Sequence, residues 1–476
     1  MSLKKALIKD ALFYGAGDVL TKAIAFLLIP LYTNALPPEE YGVFQLLVLF
    51  TTVAMVFAMS GMNVALFKHF VTTEDESSRR RFFTSTVVWV ILSSAILVGL
   101  TYILAGPLSN VLTGASGRGG LVGLAAINAG LEAIILVSLL IFRMEKKPVG
   151  YVSYALVKVV LIVAGNIILV WYLKMGVSGI IIAGIIADLI ILGPLLWRVG
   201  HYLIWPVSLK FVGSMLVWGV PFIPASLASI VLTLSDRLLL RYMDGFDSAG
   251  IYSVGYKLAG VIFLLYTAFR FAWGPYMFEL ARETSTAERI YPKVLLPLVA
   301  FLGFCSVAFV GISPELFHFF VGEAYHSARM VLIPVSAAAI FEAMSLFFGA
   351  GMQTRDRTIF VPVVTGFAAV VNVLLNIWLI PRFSFMGAAW ATLISYAVMA
   401  YMSYRLGNPL MPVKYPWVKI FAILIVTGAG VAAGWFLKPL LTRIGIFVGT
   451  GAILWLICGE SMGLLPLFSI KKDDTT

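Results

Sequence analysis

Residues 86–105 read TVVWVILSSAILVGLTYILA, twenty positions without a charge. Residues 156–173, LVKVVLIVAGNIILVWYL, carry the same signal with one lysine, Lys158. A helix needs about 20 mostly apolar residues to cross a bilayer. These runs are continuous rather than alternating, which argues against lipid-facing strands. In lipid, backbone polar groups must pair within their own segment, and a helix does that. Outward from these two stretches the same character fills the chain. Its 476 residues are 61% hydrophobic and 12% charged, with a mean hydropathy of +0.99. A soluble domain is nearer half apolar and a quarter charged. The fold expected is therefore all-α and integral to the membrane.

Apolar runs between polar breaks give fourteen expected spans. They are roughly 11–36, 41–67, 83–105, 120–142, 151–173, 177–197, 211–240, 249–272, 292–313, 328–350, 359–381, 385–405, 417–437 and 444–465. The basic N-terminus runs into the first of these with no small-residue cleavage site, so it reads as a retained span. Lys and Arg total 34 against 23 Asp and Glu. With the N-terminus cytoplasmic, 22 cations fall in inward segments and 7 in outward loops. That is the bias of the positive-inside rule, and it places both termini in the cytoplasm. Cys305 and Cys458 lie in apolar runs far apart and read as small buried side chains.

The chain echoes itself at an offset of 208 residues. Gly42, in Glu40-Tyr41-Gly42-Val43-Phe44, falls on Gly250; Arg81-Phe82-Phe83 falls on Arg289-Ile290-Tyr291; Gly179 falls on Gly387. Each match stands at a loop–helix junction, so a six-helix unit is read as duplicated. An offset of six spans is even, which makes the copies parallel about an axis along the membrane normal, with a substrate site expected between them. The expected lobes are residues 1–200 and 201–410, and residues 411–476 add two helices and a tail.

An ionisable group inside a span costs about 2.5–3.5 kcal/mol on insertion scales and needs a partner, a wet cavity or a function. Asp18 and Lys22 stand one turn apart in the first span and can neutralise each other. Asp236 and Arg237 are adjacent in the seventh, with Arg241 beyond. Neighbours on a helix point about 100° apart, so this pair is not expected to satisfy itself fully. Lys257 and Arg270 lie in the eighth, and Glu132, Asp188 and Glu342 are single acids elsewhere. At the 208 offset Lys257 falls on Leu49 and Arg270 on Met62, so these cations are not part of the repeat. A cavity lined by Arg237, Lys257, Lys22 and Arg270 would attract phosphate or pyrophosphate. Arg270 and Lys257 can also be read as snorkelling to an interface. Asp18, Asp236 and Glu342 are the candidate ion-coupling groups.

Other chemistries lack their motifs. There is no G-x-x-x-x-G-K-[ST] loop, no HExxH and no G-x-S-x-G, so no cofactor, nucleotide or metal site is expected. His318, Glu323 and His326 read as an outward surface loop, their spacing not being that of metal ligands.

The stretch Phe26-Leu27-Leu28-Ile29-Pro30-Leu31-Tyr32-Thr33 running into Glu39-Glu40-Tyr41-Gly42-Val43-Phe44 resembles the opening of the polysaccharide-transporter family, the Wzx-type flippases of the MOP superfamily. Asp236-Arg237-Leu238-Leu239-Leu240 resembles the same family, as does Ala249-Gly250-Ile251-Tyr252-Ser253-Val254-Gly255-Tyr256-Lys257. So do Trp273-Gly274-Pro275, Asn372 with Asn376-Ile377-Trp378-Leu379-Ile380-Pro381, and Gly387-Ala388-Ala389-Trp390-Ala391-Thr392. The resemblance implies two six-helix bundles in a V and alternating access. Its implied cargo is an undecaprenyl-pyrophosphate-linked oligosaccharide, moved for O-antigen or exopolysaccharide synthesis. The partners expected are membrane lipids, an H+ or Na+ gradient and polysaccharide polymerase machinery. The family's cationic cavity matches Arg237 and Lys257 by motif position; Lys22 and Arg270 are assigned from depth. The two extra helices are a feature shared with lipid II flippases of the superfamily. Two rivals stay open: a drug/cation antiporter, which needs an acidic cavity, and a glycan polymerase or ligase, which usually brings a long outward loop.

Overall fold

The computed structural model describes residues 26–462 apart from Lys146, Asp356 and Lys438. Those residues are almost entirely helical and contain no strand. The helices are α1 (Ile29–Ala35), α2 (Pro38–Met59), α3 (Met62–Thr72), α4 (Glu76–Ile103), α5 (Ala105–Thr113) and α6 (Gly119–Met144). They continue with α7 (Pro148–Asn166), α8 (Gly176–Gly200), α9 (Leu209–Gly219), α10 (Phe222–Met243), α11 (Phe246–Leu280) and α12 (Thr284–Phe320). The last are α13 (Leu332–Phe348), α14 (Ala350–Thr354), α15 (Phe360–Gly407), α16 (Trp417–Phe436) and α17 (Leu440–Met462). Among the described residues, twelve helices are long and apolar enough to cross a membrane.

Local chemistry explains where these helices begin and break. Pro38 opens α2, where its missing N–H loses no bond, and Glu39 and Glu40 in the first turn suit the positive end of the helix dipole. The expected span 41–67 is two helices, because Ser60 (φ 47°) and Gly61 (φ 70°) take left-handed backbone between α2 and α3. The expected span 211–240 also divides, into α9 and α10, at Val220-Pro221. The 48-residue α15 is kinked at Ser384 (φ 54°, ψ −141°), between the expected spans 359–381 and 385–405.

Asp75 caps α4, accepting from Ser78 N–H at 2.9 Å and Ser77 N–H at 3.3 Å. Hydrogen bonds from the Ser78 and Ser77 side chains, and then from their backbone, hold its carboxyl below the usual carboxylate range. A depressed folded value means the cap contributes stability above the unfolded pKa and loses it as pH falls through the folded one. Hydrogen exchange at the Ser77 and Ser78 amides is expected to stay slow at mildly acid pH and to accelerate only in strong acid. In Asp75→Ala it should be fast throughout; unchanged exchange in that variant would remove the cap from the account.

The helices gather into two compact units. One comprises the described residues up to Val254 with Phe320–Ala328 and Ala369–Ala388; the other comprises Gly255–Phe319, Arg329–Ala368 and the described residues from Ala389 onward. The core of the first gathers Met59, Met62, Phe83, Val90, Ile141, Leu195 and Met215, all buried. That of the second gathers Trp273, Met277, Tyr291, Leu295, Phe347, Tyr415 and Cys458, and the partly buried Cys305 packs against this core. Both cysteines are free. Large apolar side chains also face outward, among them Trp197 and Val418 at 84% exposure and Leu209 at 83%. A water-facing protein does not carry so many; a lipid-facing one does.

Residues separated by the 208 offset share backbone detail. Gly176 (φ 60°) and Ser384 (φ 54°) both adopt left-handed backbone. Gly179 lies against the backbone of Leu169, and Gly387 against that of Leu379 across the Ser384 kink. Within the first unit, Gly42 and Gly250 meet each other: a Cβ on Gly42 would run into the Phe246 carbonyl, and one on Gly250 into the Pro38 carbonyl. Pro38 and Phe246 are themselves 208 apart, so the contact is reciprocal.

Candidate functional site

The seventh expected span supplies the most completely built charged group. On α10 the Arg237 guanidinium donates to the Asp236 carboxylate at 2.7 Å and to the Thr233 carbonyl at 2.6 Å. The other Asp236 oxygen accepts from the hydroxyl of Tyr252 on α11. Arg237 is 3% and Asp236 1% exposed. The adjacent pair is not self-sufficient, as the 100° argument requires: each member draws in a third group. The arginine is thus held by protein ligands, with its ring neighbour Tyr252 5.5 Å away. Burial of this kind demands full hydrogen bonding, because a stranded charge in a dry interior is very costly.

The remaining candidates sit in the second unit. Lys257 is half-buried on α11, a turn beyond Ser253, whose hydroxyl is returned to the Ala249 carbonyl at 2.6 Å. Arg270, on the same helix, is exposed and lies 5.8 Å from the Tyr266 ring centre. The half-buried Glu342 on α13 acts on the same tyrosine. The structure therefore brings together Asp236 with Arg237, and Arg270 with Glu342 around Tyr266. Asp18 and Lys22 lie outside the described residues.

Two charged groups were not legible in the sequence. Lys158 on α7 joins Asp188 on α8 at 2.8 Å and Glu132 on α6 at 3.1 Å. Read one span at a time, the acids are solitary; the helix packing makes them a cluster. Arg443, which stands just before the expected span 444–465 and counts among the seven outward-loop cations, instead falls in the first turn of α17 and is 7% exposed. It reaches back to α12, donating to the Gly311 carbonyl at 2.6 Å and to the Glu315 carboxylate at 3.0 Å. Close by, Arg329 donates to Ser313 at 2.9 Å and lies 3.9 Å over the Trp435 ring. The C-terminal helix pair is therefore bonded to α12 through its own arginine. Of the expected His318–Glu323–His326 loop, His318 belongs to α12, because the helix runs on to Phe320.

The polysaccharide biosynthesis protein family has a sequence model that matches residues 7–281, more than half of the chain. Over 194 residues the chain is 24% identical to the probable low-salt glycan biosynthesis flippase Agl15 of Haloferax volcanii. That match covers 40% of this chain and only 37% of the relative's length. Among solved structures, lipid II flippase MurJ in an inward closed conformation superposes with a TM-score of 0.71 at 14% identity, covering 96% of this chain and 99% of MurJ. The MATE multidrug transporter DinF-BH does so with a TM-score of 0.61 at 14% identity, covering 87% of this chain and 98% of that one. At such identities the common property is the fold. A multi-pass helical membrane protein with that fold and that sequence match, this chain belongs to the polysaccharide biosynthesis protein family.

Proposed function

We propose that the chain is a secondary transporter, not an enzyme, which turns a lipid-linked oligosaccharide across the cytoplasmic membrane for surface polysaccharide synthesis. The observation that carries this reading is the extent of the family match: residues 7–281 include all four candidate cations, Lys22, Arg237, Lys257 and Arg270. The (pyro)phosphate of a polyprenyl carrier is the group such cations select, while the tail stays in lipid. The lobes 1–200 and 201–410 alternate in access, a reading supported by the backbone coincidences at the 208 offset. Both termini are cytoplasmic, in line with 22 inward and 7 outward cations. An H+ or Na+ gradient drives the cycle, and polymerase machinery receives the product.

Lys257→Ala and Arg270→Ala are expected to lower surface glycan at least about tenfold, equivalent to a loss of roughly 1.4 kcal/mol in headgroup binding. Membrane abundance, read by immunoblot, should stay at the wild-type level. Normal export in both variants discards the site assignment. The likeness to a multidrug transporter favours a second reading as a drug/cation antiporter. Efflux of a cationic dye from vesicles, unchanged by either substitution, would select it.

A further inference from the structure

Three charged side chains meet near the middle of their helices. Lys158 Nζ stands 2.8 Å from Asp188 Oδ1 and 3.1 Å from Glu132 Oε1, and Asn128 Nδ2 donates to Asp188 Oδ2 at 3.1 Å. Two carboxylates against one ammonium leave one negative charge in surplus. Asp188 is fully buried, Lys158 is 18% exposed and Glu132 is 37% exposed.

Nothing nearby among the described residues offsets that surplus. The neighbouring helices carry their charges at their ends: Glu39 and Glu40 on α2, Lys68 and His69 on α3, and Glu76 with Arg79, Arg80 and Arg81 on α4. The three helices of the cluster likewise keep their other charges at the ends, at Arg118, Arg143, Glu145, Lys147 and Arg198. Among the described residues, the charges that act on Asp188 are Lys158 and Glu132, and those that act on Lys158 are Glu132 and Asp188. A net charge at mid-membrane depth is unfavourable, and the smallest counter-charge available from water is a proton.

We infer that Glu132 and Asp188 share one exchangeable proton, which makes the Lys158 cluster a proton-binding site in the spans. Glu132, the more exposed acid, is its entrance. The step is a simple addition: a proton from water binds a carboxylate oxygen, and the cluster passes from one negative charge to none. A proton on Glu132 ends its ion pair with Lys158 and leaves the lysine to Asp188, so α6 loses its charged tie to α7 while α7 keeps its tie to α8. Proton occupancy thereby decides which helices Lys158 holds together. The use of this site in driving transport rests on the flippase reading; the binding of the proton does not.

Infrared difference spectroscopy on the purified full chain in lipid nanodiscs, titrated from alkaline to acid pH without substrate, tests this. Wild type should develop a protonated-carboxyl band as pH falls. That band should disappear in Glu132→Gln or Asp188→Asn and persist in Glu342→Gln. Lys158→Arg, which keeps the charge, should retain it with a displaced midpoint. A band untouched by both cluster variants, with all proteins monodisperse and helical, overturns the inference. So does a band abolished by sodium at constant pH, which assigns the site to a metal cation. An intact titration in a protein that moves no glycan would sink the transport reading alone.

Discussion

Arg237→Ala destabilises the protein by about 3–5 kcal/mol, because it leaves a buried carboxylate without its counter-charge. Asp236 is 1% exposed and the missing guanidinium is its bond at 2.7 Å. The backbone N–H of residue 237, at 2.9 Å, and the Tyr252 hydroxyl then hold the anion without a counter-charge. The double variant Asp236→Asn/Arg237→Gln removes both charges and should recover most of the loss. Tyr252→Phe should cost about 1.5–3 kcal/mol, the range for a hydrogen bond to a charged group. Unfolding in mixed detergent–SDS micelles, followed by helical circular dichroism, measures all three. If Arg237→Ala unfolds with the wild type, the pair is not a structural element, and a loss of export in that variant can be assigned to the substrate. If it unfolds early, export in Arg237→Ala says little about substrate, and Lys257 and Arg270 become the informative positions.

Gly42→Ala and Gly250→Ala are each expected to lose about 3 kcal/mol, at the upper end of what overpacking does. The atoms in the way are backbone, the Phe246 carbonyl for one and the Pro38 carbonyl for the other, so no side chain can rotate aside. The effects should be less than additive in the double variant, since a helix pair pushed apart by the first methyl has room for the second. Gly99→Ala in α4 is the matched control: nothing lies within 4 Å of its Cβ position. There alanine should gain up to about 1 kcal/mol from helix propensity. Opposite signs at two kinds of helical glycine are the expected outcome of the same unfolding assay. Equal effects would mean that the close approach does not contribute.

Periodicity and composition made the membrane helices legible before any coordinates. A run such as residues 86–105 has one low-energy arrangement in a bilayer, and its neighbours do not alter it. What was misread lay at local breaks. A left-handed residue at Ser60 or a proline at 221 divides a helix without interrupting its hydrophobicity, so hydropathy passes over it. Arg443 was misread for the complementary reason: a cation near a run's end looks like a loop until a helix more than a hundred residues earlier supplies Glu315.

The sequence by itself determined that the chain crosses a membrane repeatedly, that a set of residues recurs 208 positions apart, and that a few charges stand inside spans. Each follows from properties local to a segment, namely transfer free energy, backbone pairing and spacing. Only the tertiary structure decided which charges meet: Arg237 with Asp236 and Tyr252, and Lys158 with both Glu132 and Asp188. A charge in a low-dielectric medium is governed by whatever lies within a few ångströms of it, and that is set by how helices pack against one another rather than by position along a single span.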